Sequence, residues 1–455
     1  VLRADKLVGA VMYGDVADGT WYFQLMCEKA DVAALRDRMI FGQAYADVTC
    51  KGKGVDVAAM SDDTQVCGCN GVSKGAIVAA ITAKGLTSLD EVKAHTKAGS
   101  SCGQCSSVVQ AILSHVTGEA VQAKAAGMCG CTDLGHDEVR RVIVAQGLKD
   151  MAAVRQALAW RTPDGCAKCR PALNYYLLCA WPAEYVDDSQ SRFINERVHA
   201  NIQKDGTYSV IPRMWGGITT PDELRAIAAV ADKYEVTEIK VTGGQRLGLY
   251  GLRKDQLPGV WADLNAAGMV SGHAYAKGLR TVKTCVGLDW CRFGTQDSTG
   301  LGIKLEKLLW ATWTPHKFKL AVSGCPRNCA EATIKDLGVV CVEAGYDLVI
   351  GGNGGIEVRI TDPLVRVATE EEVLEYTGAF MQLYREEARY LDRTAPWVER
   401  VGVDYIKRRI VDDPEGRKAL FARFVFSQKY AQTDPWAERV QGVEAHEFQP
   451  LAEVE

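Results

Sequence analysis

Sixteen cysteines constrain this 455-residue chain more than any other feature, because twelve of them fall into three groups of four, each built from two close pairs. Cys67 and Cys69 read C-x-C, and Cys102 and Cys105, further on, read C-x-x-C. Cys129 and Cys131, with Cys166 and Cys169, repeat that C-x-C…C-x-x-C pattern at nearly the same separation. Cys285 and Cys291, with Cys325 and Cys329, read C-x5-C…C-x3-C. Thiols one or two residues apart bridge to each other only with strain, but both can face one metal centre. The chain shows no signal peptide, and grouped thiols in a reducing cytosol read as metal or iron–sulfur ligands rather than a disulfide framework. A cytoplasmic protein is therefore expected. Cys27, Cys50, Cys179 and Cys341 have no partner spacing and read as packing residues.

The rest of the composition narrows the class. A net charge of −4 argues against a nucleic-acid binder. The absence of any run of about 18 apolar residues argues against a membrane span. The opening Val1-Leu2-Arg3 is neither an initiator Met nor a leader, so a fragment of something longer is expected. At ~150 residues per domain, the length implies about three domains.

The first two cysteine sets belong to an internal repeat: Val66-Cys-Gly-Cys-Asn70 with Ala83-Lys-Gly-Leu86 matches Met128-Cys-Gly-Cys-Thr132 with Ala145-Gln-Gly-Leu148. Between the Cys pairs the apolar residues recur at helical spacing, and Ser88 with Glu91 forms a capping box. Each repeat is expected to be a small all-helical module whose cysteines sit beside helix ends. Beyond the polar Asp187-Asp-Ser-Gln-Ser191 linker the pattern becomes α+β. Ser209-Val-Ile and Thr237–Thr242 are strand-like, while Thr220-Pro-Asp-Glu223 and Thr369-Glu-Glu-Glu372 cap helices. Residues 411–455 are charged and aromatic, with no assignable motif. The third cysteine set lies in Thr284-Cys-Val-Gly287 and Gly324-Cys-Pro-Arg-Asn-Cys329, which suits a [4Fe–4S] cubane wrapped by two glycine-bearing loops; structural zinc is the alternative.

The segments Val210-Ile-Pro-Arg-Met-Trp-Gly-Gly217, Val241-Thr-Gly-Gly-Gln-Arg246, Lys283-Thr-Cys-Val-Gly287, Pro315-His-Lys-Phe-Lys319 and Val322-Ser-Gly-Cys-Pro-Arg-Asn-Cys329 resemble the sirohaem-containing nitrite and sulfite reductase family. Within it the chain is most similar to the large subunits of the NAD(P)H-dependent assimilatory nitrite reductases. The resemblance implies an α+β architecture with tandem [2Fe–2S] modules ahead of a sirohaem and [4Fe–4S] unit. The implied domains are a reductase remnant at 1–60, modules at 61–121 and 122–185, a ferredoxin-like half domain at 192–265, a sirohaem and [4Fe–4S] domain at 266–410, and a tail at 411–455.

The resemblance also assigns roles. Cys285, Cys291, Cys325 and Cys329 match the cluster ligands, and Cys329 the thiolate shared with the sirohaem iron. Lys317 and Lys319 match paired lysines over the haem, and Arg213 a substrate-side arginine, with Arg280, Lys283 and Arg246 as further anion contacts; a lone Arg or Lys reads more simply as a solvated charge. Gly352, Asn353 and Gly354 match a loop against the sirohaem, where successive amides could hold a carboxylate; a plain surface turn is the alternative. The two C-x-C…C-x-x-C sets match [2Fe–2S] ligands, the second with a bound metal ion or vestigial site as the alternative. His136 reads as a helix-surface residue. Residues 1 to about 45 resemble the end of a flavin-dependent reductase domain. FAD and the NAD(P)H site are expected upstream of this chain, since no strand here is followed by G-x-G-x-x-G.

The implied reaction is the six-electron reduction of nitrite to ammonium. Sulfite reduction is the rival within the class, and a zinc-binding scaffold the rival outside it. A small subunit is an expected partner. The α+β unit occurs twice in single-chain relatives and once here, which implies a homodimer with Lys317 and Lys319 facing the haem held by Cys329 of the partner subunit.

Overall fold

A computed structural model of the chain describes residues 1–11, 19–36, 39, 57–58, 60–67, 70–99, 105–118, 127–274, 277–355, 358–431 and 433–449. Cys50, Cys69 and Cys102 lie outside the described residues. The chain divides into two units, Val1–Ala126 and Gly127–Glu455.

In the first unit, a short hairpin of Leu2–Arg3 and Lys6–Leu7 and a helix Gly19–Cys27 gather around Leu7, Val32 and Met39. The first repeat follows. Strand Gln65–Cys67 pairs with Val72–Ser73, and helices Lys74–Lys84, Leu89–Thr96 and Ser106–Thr117 close over Ile77, Ile81, Val92, Ile112 and Leu113. The module is thus helical except for a hairpin that carries Cys67, a feature the helical periodicity did not reveal. The Ser88–Glu91 capping box is present, and Cys105 stands at the N-cap of Ser106–Thr117.

The second unit opens with the second repeat. Helices α1 (His136–Ala145) and α2 (Cys169–Ala180), joined through Met151–Ala157, pack around Val139, Ile143, Val154 and Leu173. Cys169 begins α2. A four-stranded antiparallel sheet follows in the order Asn201–Ile202, Tyr208–Val210, Leu247–Leu252, Glu238–Val241. It is backed by helix Pro221–Lys233, with its Thr220–Glu223 capping box, and by Leu257–Ala266.

A five-stranded sheet holds the largest core. Its strands are β1 (Leu279–Thr284), β2 (Phe318–Ser323), β3 (Leu337–Val342), β4 (Gly345–Ile350) and β5 (Asp362–Val367), in spatial order β5-β4-β3-β2-β1. β1, β2 and β3 run parallel and the rest antiparallel. Helix α3 (Ser298–Leu309) makes the crossover from β1 to β2 that a parallel pair requires. Helix α4 (Glu370–Glu387) covers the sheet through Val373, Phe380 and Tyr384, and α5 (Pro414–Gln428) covers α4 through Leu420 and Phe424. The described part of the tail, 411–431 and 433–449, unassigned from sequence, is therefore core structure. Its Trp436, fully buried, stacks on Trp261 with ring centroids 6.1 Å apart.

The second repeat is clamped to this body. Arg140 of α1 donates to the carbonyls of Glu386, Glu387 and Ala388 at 2.7–2.8 Å, placing a cation on the carbonyl end of α4. Tyr176 Oη accepts from the Tyr390 amide at 2.9 Å, and Tyr175 Oη donates to the Arg385 carbonyl at 3.1 Å.

Candidate functional site

Because β1 and β2 are parallel neighbours, the loops leaving them emerge at the same edge, where ligands gather in parallel sheets. Cys285 directly follows β1, and Cys325 and Cys329 follow β2. With Cys291 all four thiol residues line one cleft of about 600 Å3. Cys325 is buried, Cys285 and Cys291 are half-buried, and Cys329 is exposed. Burial raises the Cys285 pKa, but hydrogen bonds from Ser298 and from the Gly324 and Gly287 amides outweigh it and hold the thiol below its ordinary value. The Gly324 amide donates to Cys285 Sγ at 3.1 Å, and a Cβ on Gly324 would stand 3.2 Å from that sulfur. The second loop is shaped by Asn328, in the left-handed region (φ 58°), whose Nδ2 donates to Thr333 Oγ1 at 2.7 Å. Four thiols around a glycine-walled cleft offer the donor chemistry of an iron–sulfur cluster, although among the described residues only the second repeat's sulfurs gather tightly enough to share a single ion.

The solvent-side face of the same two strands is basic. Phe318, Leu320 and Val322 of β2 point into the core, so alternation sends Lys319 to the other face, with Lys317 just before the strand. Arg280 and Lys283 of β1 lie beside them, since Lys319 pairs with Thr281 and Ala321 with Lys283. Lys283 shares Glu331 with Lys335, at 3.2 and 2.9 Å. Burial, and then the Arg393 guanidinium, depress the pKa of Lys317; burial, Lys317 and Arg393 depress that of Lys319. Arg393 itself is held by Asp336 at 2.8 Å, and Asp336 Oδ2 also accepts from the Lys319 amide at 2.8 Å.

Arg213 is buried, not surface-facing: its Nη1 meets Glu306 Oε1 at 2.6 Å, with neither side chain exposed, while Glu306 Oε2 accepts from the Gly216 amide at 2.6 Å. Arg246, also buried, donates to the Gly272 carbonyl at 2.6 Å and leaves Nε without a partner. Burial, reinforced by Arg213 and Arg280, pushes the Arg246 pKa down to about 9. A guanidinium remains charged at neutral pH, so Arg213, Arg246 and Arg280 form a cationic cluster in which Glu306 pairs with Arg213 and acts on Arg246. Such a cluster fits a polycarboxylate macrocycle and a small oxyanion.

The Gly351–Gly355 loop packs against Lys335 and Asp336, which themselves tie to Lys283 through Glu331 and to the Lys319 amide. The amides of Gly351 and Gly352 are spent on the Asp336 and Lys335 carbonyls, at 3.0 and 2.9 Å, and Asn353–Gly354 pairs with Val358–Arg359 as a ribbon. Gly352 serves close backbone approach, since a Cβ there would stand 2.6 Å from the Lys335 oxygen.

In the second repeat the sulfurs of Cys129, Cys131, Cys166 and Cys169 all lie within 4.8 Å of one another, a donor set of thiols alone that can hold a metal centre. The Cys166 amide donates to Cys169 Sγ at 3.0 Å and the Cys131 amide to Cys129 Sγ at 3.4 Å. His136 is no ligand to this set; its Nδ1 lies 2.7 Å from Tyr176 Oη. In the first repeat, Cys67 and Cys105 are buried in one core, and Asn70 Nδ2 lies 3.7 Å from Cys67 Sγ. Of the unpaired cysteines, Cys341 is core, Cys179 half-buried and Cys27 exposed, so packing does not account for Cys27.

Sequence reasoning missed Glu306, Gln245, Ser298, Asn328 and Arg393. Glu306 was detectable, because Gly302, Glu306 and Leu309 share one stripe of α3 and an acid on a core-facing stripe demands a cationic partner. Gln245 bonds the Thr284 backbone from a distant turn, at 2.8 and 2.9 Å, and carried no such signal.

Fold and site together define a multi-centre iron–sulfur protein with basic residues on the strands that lead to its cysteine cleft. The profile described as "Nitrite and sulphite reductase 4Fe-4S domain" matches residues 275–418, "Nitrite/Sulfite reductase ferredoxin-like half domain" matches 201–267, and "BFD-like [2Fe-2S] binding domain" matches both 65–115 and 128–178. A "Nitrite reductase [NAD(P)H]" of Bacillus subtilis is 52% identical over 438 residues, covering 96% of this chain and 53% of that protein. A "Nitrite reductase (NADH) large subunit" of Escherichia coli is 38% identical over 440 residues, covering 95% and 51%. An assimilatory-type sulfite reductase of Nitratidesulfovibrio vulgaris is 36% identical over 213 residues, covering 47% of this chain and 96% of that one. The chain belongs to the nitrite and sulfite reductase family. It spans about half the length of the two nitrite reductases it matches.

Proposed function

We propose that this chain carries the catalytic part of an NAD(P)H-dependent nitrite reductase, reducing nitrite to ammonium with electrons relayed from FAD on residues outside this chain. The carrying observation is one sheet that bears Arg280, Lys283 and Lys319 on an open face and four cysteines at its strand ends. Sirohaem joined to a [4Fe–4S] cluster would supply an open metal position for nitrite and stored single electrons. Cys285, Cys291, Cys325 and Cys329 would hold the cluster, with Cys329, the exposed thiol, shared with the haem iron. Arg246 and Arg280 would neutralise carboxylates beside Arg213, whose own charge is met by Glu306, and Lys317 and Lys319 would bind the oxyanion and lend protons, for which their depressed pKa values suit them. Cys67, Cys69, Cys102 and Cys105, and the second set, would relay electrons on [2Fe–2S] centres.

The names of the relatives support a small-subunit partner for this chain, and the thiol-rich composition supports a cytoplasmic location. No helix among the described residues is long and apolar enough to cross a membrane. A homodimer is the further reading. Lys319 and Cys325 stand about 20 Å apart along β2, which favours the lysines facing the haem held by Cys329 of the partner subunit. Mixing a Lys317→Ala chain with a Cys329→Ser chain should then restore partial activity, whereas a fully active monomer in light scattering refutes the pairing. Sulfite reduction is the second reading, supported by the Nitratidesulfovibrio relative. Iron and acid-labile sulfide analysis with the visible spectrum, followed by dye-driven turnover, tests both: nitrite is expected to outpace sulfite, and a colourless zinc protein would end either reading.

A further inference from the structure

A cavity of about 660 Å3 lies in the seam between the second thiol module and helices α4 and α5, away from the cysteine cleft and the basic sheet face. Its walls are largely apolar, including Ile143, Val144, Tyr176 and Phe426, and its size is that of a small-ligand site. Arg385 lines it and is 3% exposed. Nη1 donates to Gln382 Oε1 at 2.9 Å and Ser427 Oγ at 2.6 Å, Nη2 has only the Cys179 sulfur at 3.9 Å, and Nε has no partner. Cys179 lines the same cavity.

The neighbouring carboxylate answers Arg385 only through space: against burial and behind Arg423, Arg385 helps hold Glu386 below its ordinary value, while its own hydrogen bonds go to neutral groups. Glu386 is held by Arg423 in a two-bonded pair at 2.7 and 2.9 Å, and Arg140 is committed to the α4 carbonyls and Asp137. Among the described residues no carboxylate forms an ion pair with Arg385. A guanidinium taken out of water without an anion is costly, and a planar fork prefers a carboxylate. A buried cation without a directly bonded carboxylate among the described residues, in a chamber whose surface is mostly apolar, selects a ligand with one negative group and an apolar body.

We propose that this cavity binds a small amphipathic monocarboxylate, anchored by Arg385, with its apolar body against Ile143, Tyr176 and Phe426. Val144 and Phe426, both partly exposed, stand at the entrance. The occupant touches the thiol module on one side and α4 and α5 on the other, so binding tightens their junction.

Calorimetric titration of the whole chain with octanoate, against octan-1-ol of equal length, tests the assignment. Octanoate is expected to bind saturably, one per chain, and octanol at least tenfold more weakly. Arg385→Gln, which keeps hydrogen-bonding capacity toward Gln382 and Ser427, should weaken octanoate at least tenfold, and Val144→Trp, which fills the entrance and leaves the cation, should do the same. Equal binding of acid and alcohol, or no octanoate binding, overturns the proposal. If Arg385→Gln fails to fold, unchanged octanoate affinity in Val144→Trp overturns it equally.

Discussion

Glu306→Gln isolates the electrostatic arrangement beneath the basic pocket. Glutamine keeps the shape and an oxygen for the Gly216 amide, but removes the negative charge that pairs with Arg213 and acts on Arg246. Both side chains of the Arg213–Glu306 pair are fully buried, and leaving one buried charge unmatched costs about 3–5 kcal/mol. At ~2 °C per kcal/mol for a large domain, the melting point should fall by about 6–10 °C. Differential scanning calorimetry reads the shift. Added sulfate should recover part of it, because an anion that binds only the folded state returns about 1.4 kcal/mol for each tenfold in concentration above its Kd. Replacing both partners, Arg213→Met with Glu306→Met, should cost less than Glu306→Gln alone, apart from about 1–3 kcal/mol for the orphaned Gly216 amide. A Glu306→Gln protein melting within about 1 °C of the parent, with no response to sulfate, refutes the reasoning.

Cys329→Ser should abolish dye-driven nitrite turnover, while Cys67→Ser should spare it and block only NAD(P)H-driven turnover in the full-length enzyme; steady-state assays with both donors separate the two, and full dye-driven activity in Cys329→Ser contradicts the assignment. Lys317→Ala and Lys319→Ala should each lose ~2–4 kcal/mol of transition-state stabilisation, about 30- to 1000-fold in rate, with the haem spectrum retained; unchanged kinetics in both would place these lysines outside the pocket. His273, held down to about 3 by burial and then by Arg213, and His199, well below its ordinary value through burial, stay neutral when folded. The unfolded chain protonates them below about pH 6.5, so their contribution is complete above that pH and is lost downward at about 1.4 kcal/mol per pH unit each. Melting points between pH 7.5 and 5.0 should fall accordingly, and a flat profile counts against buried neutral histidines.

The chemistry was largely legible because ligands obey spacing. Two thiols close in sequence can share a centre wherever the chain goes, so the cysteine sets and their repeat stood out. Capping boxes at Ser88, Thr220 and Thr369 were equally readable, since their hydrogen bonds close within three residues. The hairpin bearing Cys67 escaped because strands of two or three residues leave no periodicity. The tail from 411 escaped because Phe424 and Trp436 find their contacts on α4 and on Trp261, far away in the chain.

Sequence by itself determined which atoms are available to bind metal, and that two lysines flank Phe318. Tertiary structure decided that Arg213 spends its charge on Glu306, that Gly352 gives its amide to Lys335, and that Arg385 lies buried beside a largely apolar chamber with its hydrogen bonds on Gln382 and Ser427. Most of those contacts join residues well apart in the chain, and the energy of a buried charge depends on its neighbours in space rather than in sequence.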